Sequence, residues 1–252
     1  MVTDSNVFPY MVTVLRGATY LSSGALIDEK WVLTTADGLY LMGESVRFLS
    51  VRLGSINYKK GGTVMRIKLF EIHPYFDDKR PNFDLALLMM ASPVRYTPNL
   101  KAIRLQLIPT DVTATHFIVT SWPGPLESKT KNFTHLQSME TIKRHRILTV
   151  THLHPTSPDE CVKELKEIGA NDEAIMCLEP ALSDPCMRDT GAPVVLNHVL
   201  WAVVSSWKPD DCDETNGEPV FATLVSAKNI SSWIHATVHG HRWNTSNSSS
   251  MF

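Results

Sequence analysis

Apolar residues in this chain come in short runs, each closed by turn formers. Met11–Leu15 is a β-type run stopped by Arg16-Gly17. Ser23–Ile27 and Trp31–Thr34 follow, separated by the polar Asp28-Glu29-Lys30. Val46–Gly54 and Met65–Phe70 alternate apolar and polar positions, the period of a strand with one face buried. Leu85–Met90 is apolar without a break, as a strand buried on both faces would be. After about Leu105 the pattern restarts with Phe117–Trp122, Ile147–Val150, Ala174–Leu178, Ala192–Leu196 and Leu200–Val204. Helical spacing occurs at Cys161–Gly169, where Val162, Leu165 and Ile168 share a face. It returns at about 225–238, with Trp233 and Ile234 as apolar anchors. Residues 241–252 carry no apolar period and read as a disordered Ser/Asn-rich tail. Strands at short intervals, with turn residues between them, predict an all-β barrel or sandwich.

The length, 252 residues, suits one large β domain or two small ones. The 43% hydrophobic and 20% charged content is that of an ordinary globular chain. A formal net charge of −2 gives no reason to expect nucleic acid or an anionic membrane as partner. No apolar run reaches the length of a membrane span. Asp4 and Pro9 break the opening stretch where a signal peptide would need an apolar core.

The four cysteines, Cys161, Cys177, Cys186 and Cys212, form no C-x-x-C pair, so neither zinc nor another cofactor is expected. Their even number suits two disulfides. Acceptor sequons stand at Asn132, Asn229, Asn244 and Asn247, which favours a secreted glycoprotein. His152 and His154 share a strand face and could bind a metal, although exposed histidine pairs usually bind none. Lys143-Arg144-His145-Arg146 could attract a sulfated glycan or acidic partner, or form a solvated loop. His239 and His241 fall at the start of the expected tail.

One stretch organises the rest: Cys186-Met187-Arg188-Asp189-Thr190-Gly191-Ala192-Pro193. It resembles the nucleophile loop of trypsin-like serine proteases, C-x-G-D-S-G-G-P, with Thr190 at the nucleophile position and Arg188 where the family has Gly. Further pieces resemble the same family in the same order. Phe8-Pro9-Tyr10 leads into the first strand, and Ser22–Ile27 resembles C-G-G-S-L-I. Trp31–Gly38 resembles W-V-L-T-A-A-H-C, and Asp84–Leu88 resembles D-I-A-L-L. Ser121-Trp122-Pro123 stands where the family has G-W-G, and Val204-Ser205-Ser206-Trp207 resembles V-S-W-G with one residue extra. The resemblance implies two six-stranded antiparallel barrels, a C-terminal helix and a site between the barrels. The barrels would run from about 8 to 104 and from about 105 to 224, within a domain of residues 1–240.

The resemblance also assigns roles. Asp84 holds the place of the carboxylate that orients the catalytic base, and Asp37 holds the place of the base itself. A carboxylate there has a reference pKa of ~4, about two and a half units below histidine. It is set close to Asp84, so one of the pair should bind a proton more readily than a lone carboxylate. It cannot accept from a nucleophile while donating to Asp84, as an imidazole does. Thr190 keeps a hydroxyl, but its methyl group restricts the rotamer and crowds attack. The backbone amides of Arg188 and Thr190 would form the oxyanion hole, and a side chain at 188 opposes that geometry.

The implied specificity pocket contains Asp184, Trp207, Lys208 and Pro219. Asp184 reads either as the remnant of a trypsin-like pocket base or as a surface-loop aspartate. Lys208 and Pro219 replace the two wall glycines. The implied disulfides are Cys161–Cys177 and Cys186–Cys212; a third family bridge, at Ser22 and Gly38, is lost at both ends. The expected function is that of a secreted, catalytically inactive protease homologue that binds a protein or glycan. The alternatives are a weakly active trypsin-like endopeptidase with a Thr nucleophile, and a carrier or lectin-like module on the same scaffold.

Overall fold

A computed structural model describes residues 1–40, 42, 45–110, 116–122, 146–170, 174–180, 189–206 and 220–247, without the side chains of Pro180 and of residues 241–247. The first half holds β1 (Met11–Arg16), β2 (Thr19–Leu26), β3 (Trp31–Thr34), α1 (Asp37–Tyr40), β4 (Leu49–Leu53), β5 (Thr63–Ile72) and β6 (Ala86–Met90). Its six strands close in the order β1-β2-β3-β6-β5-β4, because β1 also pairs with β4. The second half holds β7 (Arg104–Leu105), β8 (Phe117–Ser121), β9 (Thr149–Pro155), α2 (Pro158–Glu167), β10 (Ile175–Pro180), β11 (Pro193–Leu196), β12 (Val199–Val204), β13 (Val220–Leu224) and α3 (Lys228–Asn247). Here the order is β11-β8-β9-β10-β13-β12, closed by a β11–β12 pairing, with the two-residue β7 alongside β12. The result is two six-stranded antiparallel barrels with a C-terminal helix.

The apolar run at β6 shows why both barrels are needed. Ala86, Leu88 and Met90 point into the first barrel with Val12, Val32 and Val51. Leu85, Leu87 and Met89 point the other way, into a second core shared with Trp122, Val203 and Ile234. Strand side chains alternate faces, so a strand at this interface must be apolar on both. Each fully buried aliphatic side chain stabilises the fold by about 1.5–3 kcal/mol.

Several boundaries differ from the sequence pattern. α2 begins at Pro158, three residues before the apolar period starts. Ser157 caps it, its hydroxyl accepting from the Glu160 amide at 3.3 Å and donating to the Glu160 carboxylate at 2.6 Å. β9 continues to Pro155 because His152 and His154 are its exposed positions and Leu153 its buried one. β13 is not predicted at all, because no Gly or Pro separates it from the helix that follows.

The closing helix also starts three residues late, at Lys228, and runs to Asn247 rather than 238. The apolar spacing Ile230, Ile234, Val238 ends where the core ends. Beyond it each added residue gains a backbone hydrogen bond with no need of an apolar contact. The expected tail is therefore helical over its first seven residues, 241–247. No helix among the described residues is long and apolar enough to cross a membrane.

Candidate functional site

Two buried carboxylates lie between the barrels. Asp84 lies two residues before β6 and is 1% exposed. The residue before it, Phe83, has φ +57°, a conformation that costs a non-glycine residue about 1–3 kcal/mol. Packing holds it there: the Phe83 ring stacks on His73 at 4.9 Å, and Tyr75 meets it edge-on. His73 is buried, which lowers its pKa; the Asn229 carbonyl on α3 partly offsets this.

Asp84 Oδ1 accepts from the amides of Ala36 at 2.8 Å and Asp37 at 3.1 Å. Its Oδ2 accepts from Ser205 Oγ at 2.9 Å, the Ser206 amide at 2.7 Å and Ser206 Oγ at 2.8 Å. The first two donors belong to the turn after β3, and the other three to the end of β12. One carboxylate thus joins the two barrels.

Asp37 opens α1 and is half-buried. Burial raises its pKa, and the charges of Asp84 and Asp78 raise it further. Among the described residues, no hydrogen bond links the Asp37 carboxylate to the Thr190 hydroxyl. The Thr190 carbonyl accepts from the Ser23 amide at 2.8 Å, which fixes the loop backbone to β2. Gly191 follows with φ +81°, and a side chain there would run into the Ser23 carbonyl.

Asp189 is 2% exposed. The Tyr20 hydroxyl donates to its Oδ1, while Ser23 Oγ at 2.7 Å and the Trp122 amide at 2.6 Å donate to its Oδ2. Burial pushes the Tyr20 phenol well above its ordinary pKa, and the neighbouring Asp189 charge adds to the rise. The sequence pattern gives Tyr20 and the Ser206 hydroxyl no role at this site. Tyr20 shares its strand with Thr19, Ser22 and Ser23, so no polar-in-apolar signal sets it apart in the sequence.

Cys161 and Cys177 form a disulfide, Cα–Cα 5.5 Å, between α2 and β10. Arg188, Asp184, Trp207, Lys208, Pro219, Cys186, Cys212 and Asn132 lie outside the described residues. Asn229 is exposed in the first turn of α3, and Asn244 and Asn247 lie on the same helix. His116 meets His152 and His154, with ring centroids 5.5 and 6.5 Å away. Among the described residues, no group of three or more His, Cys, Asp or Glu side chains is arranged to hold a metal ion.

Double-barrel architecture, with buried aspartates between the barrels, is the arrangement of a trypsin-like protein. The Trypsin family profile matches residues 2–234, and the chain belongs to that family. It is 28% identical to a trypsin of Sarcophaga bullata, over 93% of this chain and 86% of that one. It is 27% identical to hypodermin-A of Hypoderma lineatum, over 79% and 72%. Among solved structures, mouse neuropsin, a serine protease, superposes with a TM-score of 0.73 at 20% identity, covering 94% of this chain and 97% of that one. Kallikrein-related peptidase 10 gives 0.70 at 23%, covering 95% and 100%.

Proposed function

We propose that this chain is a secreted, non-catalytic trypsin-like protein that acts by binding a protein or glycan partner. The observation that carries the reading is the pair of residues at the base and nucleophile positions. Asp37 cannot relay a proton between a hydroxyl and Asp84, and it makes no hydrogen bond to Thr190. A triad without the nucleophile–base contact loses its activation step. Arg188, at the position of the first oxyanion amide, acts in the same direction. The Cys161–Cys177 disulfide supports an oxidising compartment.

Recombinant protein assayed with arginyl chromogenic substrates and a fluorophosphonate serine probe tests the reading. No turnover and no labelling are expected, and Asp37→His with Thr190→Ser should add little of either. Sustained turnover by the unaltered chain would reject it. The names of the relatives favour a second reading, a slow endopeptidase with Thr190 as nucleophile. That reading requires turnover abolished by Thr190→Ala. Retention on immobilised heparin would point to the glycan partner.

A further inference from the structure

We propose that Ser206 occupies the place on Asp84 from which an imidazole would be held, so that the carboxylate is closed to a base at position 37. This goes beyond the non-catalytic reading, which rests on the residues at 37 and 190. It concerns the other side of the proton relay.

A carboxylate offers about four lone-pair sites. Asp84 already accepts five hydrogen bonds, at 2.7–3.1 Å, two on Oδ1 and three on Oδ2. Two of the three on Oδ2 come from Ser206, one from its amide and one from its hydroxyl. A histidine base works only if its far ring nitrogen donates to the carboxylate. At Asp84 that ring N–H would be a sixth donor to a carboxylate that is already 1% exposed.

Two consecutive serines, Ser205 and Ser206, precede Trp207. The second serine brings an amide and a hydroxyl to one oxygen at 2.7 and 2.8 Å, which Ser205 alone, with one contact at 2.9 Å, does not. The carboxylate's role is thereby converted. Instead of orienting a base, it ties the 36–37 turn of the first barrel to the end of β12 in the second.

The test follows the ring of a histidine placed at position 37, by NMR. Asp37→His alone should show no strongly downfield ring N–H signal, and its imidazole should titrate within about half a unit of the ordinary ~6.5. Adding Ser206→Ala, or deleting Ser206, should bring the downfield signal and raise the titration midpoint by about one unit, a tenfold preference for the charged ring. A downfield signal and raised midpoint in Asp37→His with Ser206 intact would overturn the proposal. So would no change in either Ser206 variant. Thermal melts identify any variant that fails to fold, and for that case the unaltered protein supplies a readout. Its Ser206 amide should exchange with solvent about 100-fold slower than an unprotected amide, or slower still, and fast exchange overturns the proposal. Peptidase activity of the unaltered chain would reject the non-catalytic reading and leave these NMR outcomes to be judged separately.

Discussion

Asp84 and Asp189 are buried to nearly the same degree, 1% and 2% exposed, yet they draw their donors differently. Three of the five donors to Asp84 are backbone amides, from residues 36, 37 and 206. Asp189 accepts from two side-chain hydroxyls, on Tyr20 and Ser23, and from the amide of Trp122. Backbone donors persist through side-chain substitution, whereas hydroxyl donors are lost with one oxygen atom. The Asp84 cluster should therefore depend on the carboxylate itself, and the Asp189 cluster on its neighbours.

Asp84→Ala gives the largest expected effect. It strands buried donors in both barrels, and a few such groups at about 1–3 kcal/mol each imply a loss of roughly 3–5 kcal/mol. Urea unfolding measures it, and a loss below about 1 kcal/mol would break the picture of a clasp between barrels. Single Ser205→Ala or Ser206→Ala changes should cost far less, because the other donors remain.

Tyr20→Phe comes next. A hydrogen bond to a charged group contributes about 1.5–3 kcal/mol, and this substitution removes one with little change of shape. The pH dependence sharpens the comparison. The folded phenol pKa lies above its unfolded value, so its contribution is complete below about pH 10 and fades as the pH rises towards the folded value. The difference in melting temperature between wild type and Tyr20→Phe should narrow above about pH 10. A difference that is constant to pH 11 would mean that the folded Tyr20 phenol is not raised above its unfolded pKa.

Asp37→Asn is the smallest effect and has the opposite sign. The folded pKa of Asp37 is raised, so ionising it opposes folding. That penalty is complete above the folded pKa and absent below the unfolded value of about 3.8. The amide should stabilise the protein at pH 7 by less than about 1 kcal/mol, since the group is half exposed and screened. The gain should vanish near pH 3.5. A gain that persists in acid would point to a cause other than charge.

The sequence by itself determined the strand periods, the two-sided apolar run at β6, and the resemblance that brought Asp37, Asp84 and Thr190 forward as one site. These are legible because side-chain chemistry and spacing are written residue by residue. Only the tertiary structure decided who donates to the two carboxylates. Backbone amides look alike at every position, so the meeting of residues 36, 37 and 206 at Asp84 leaves no mark on the chain. Tyr20 and Asp189 are 169 residues apart in sequence, and only the packing of one barrel on the other brings them within a hydrogen bond.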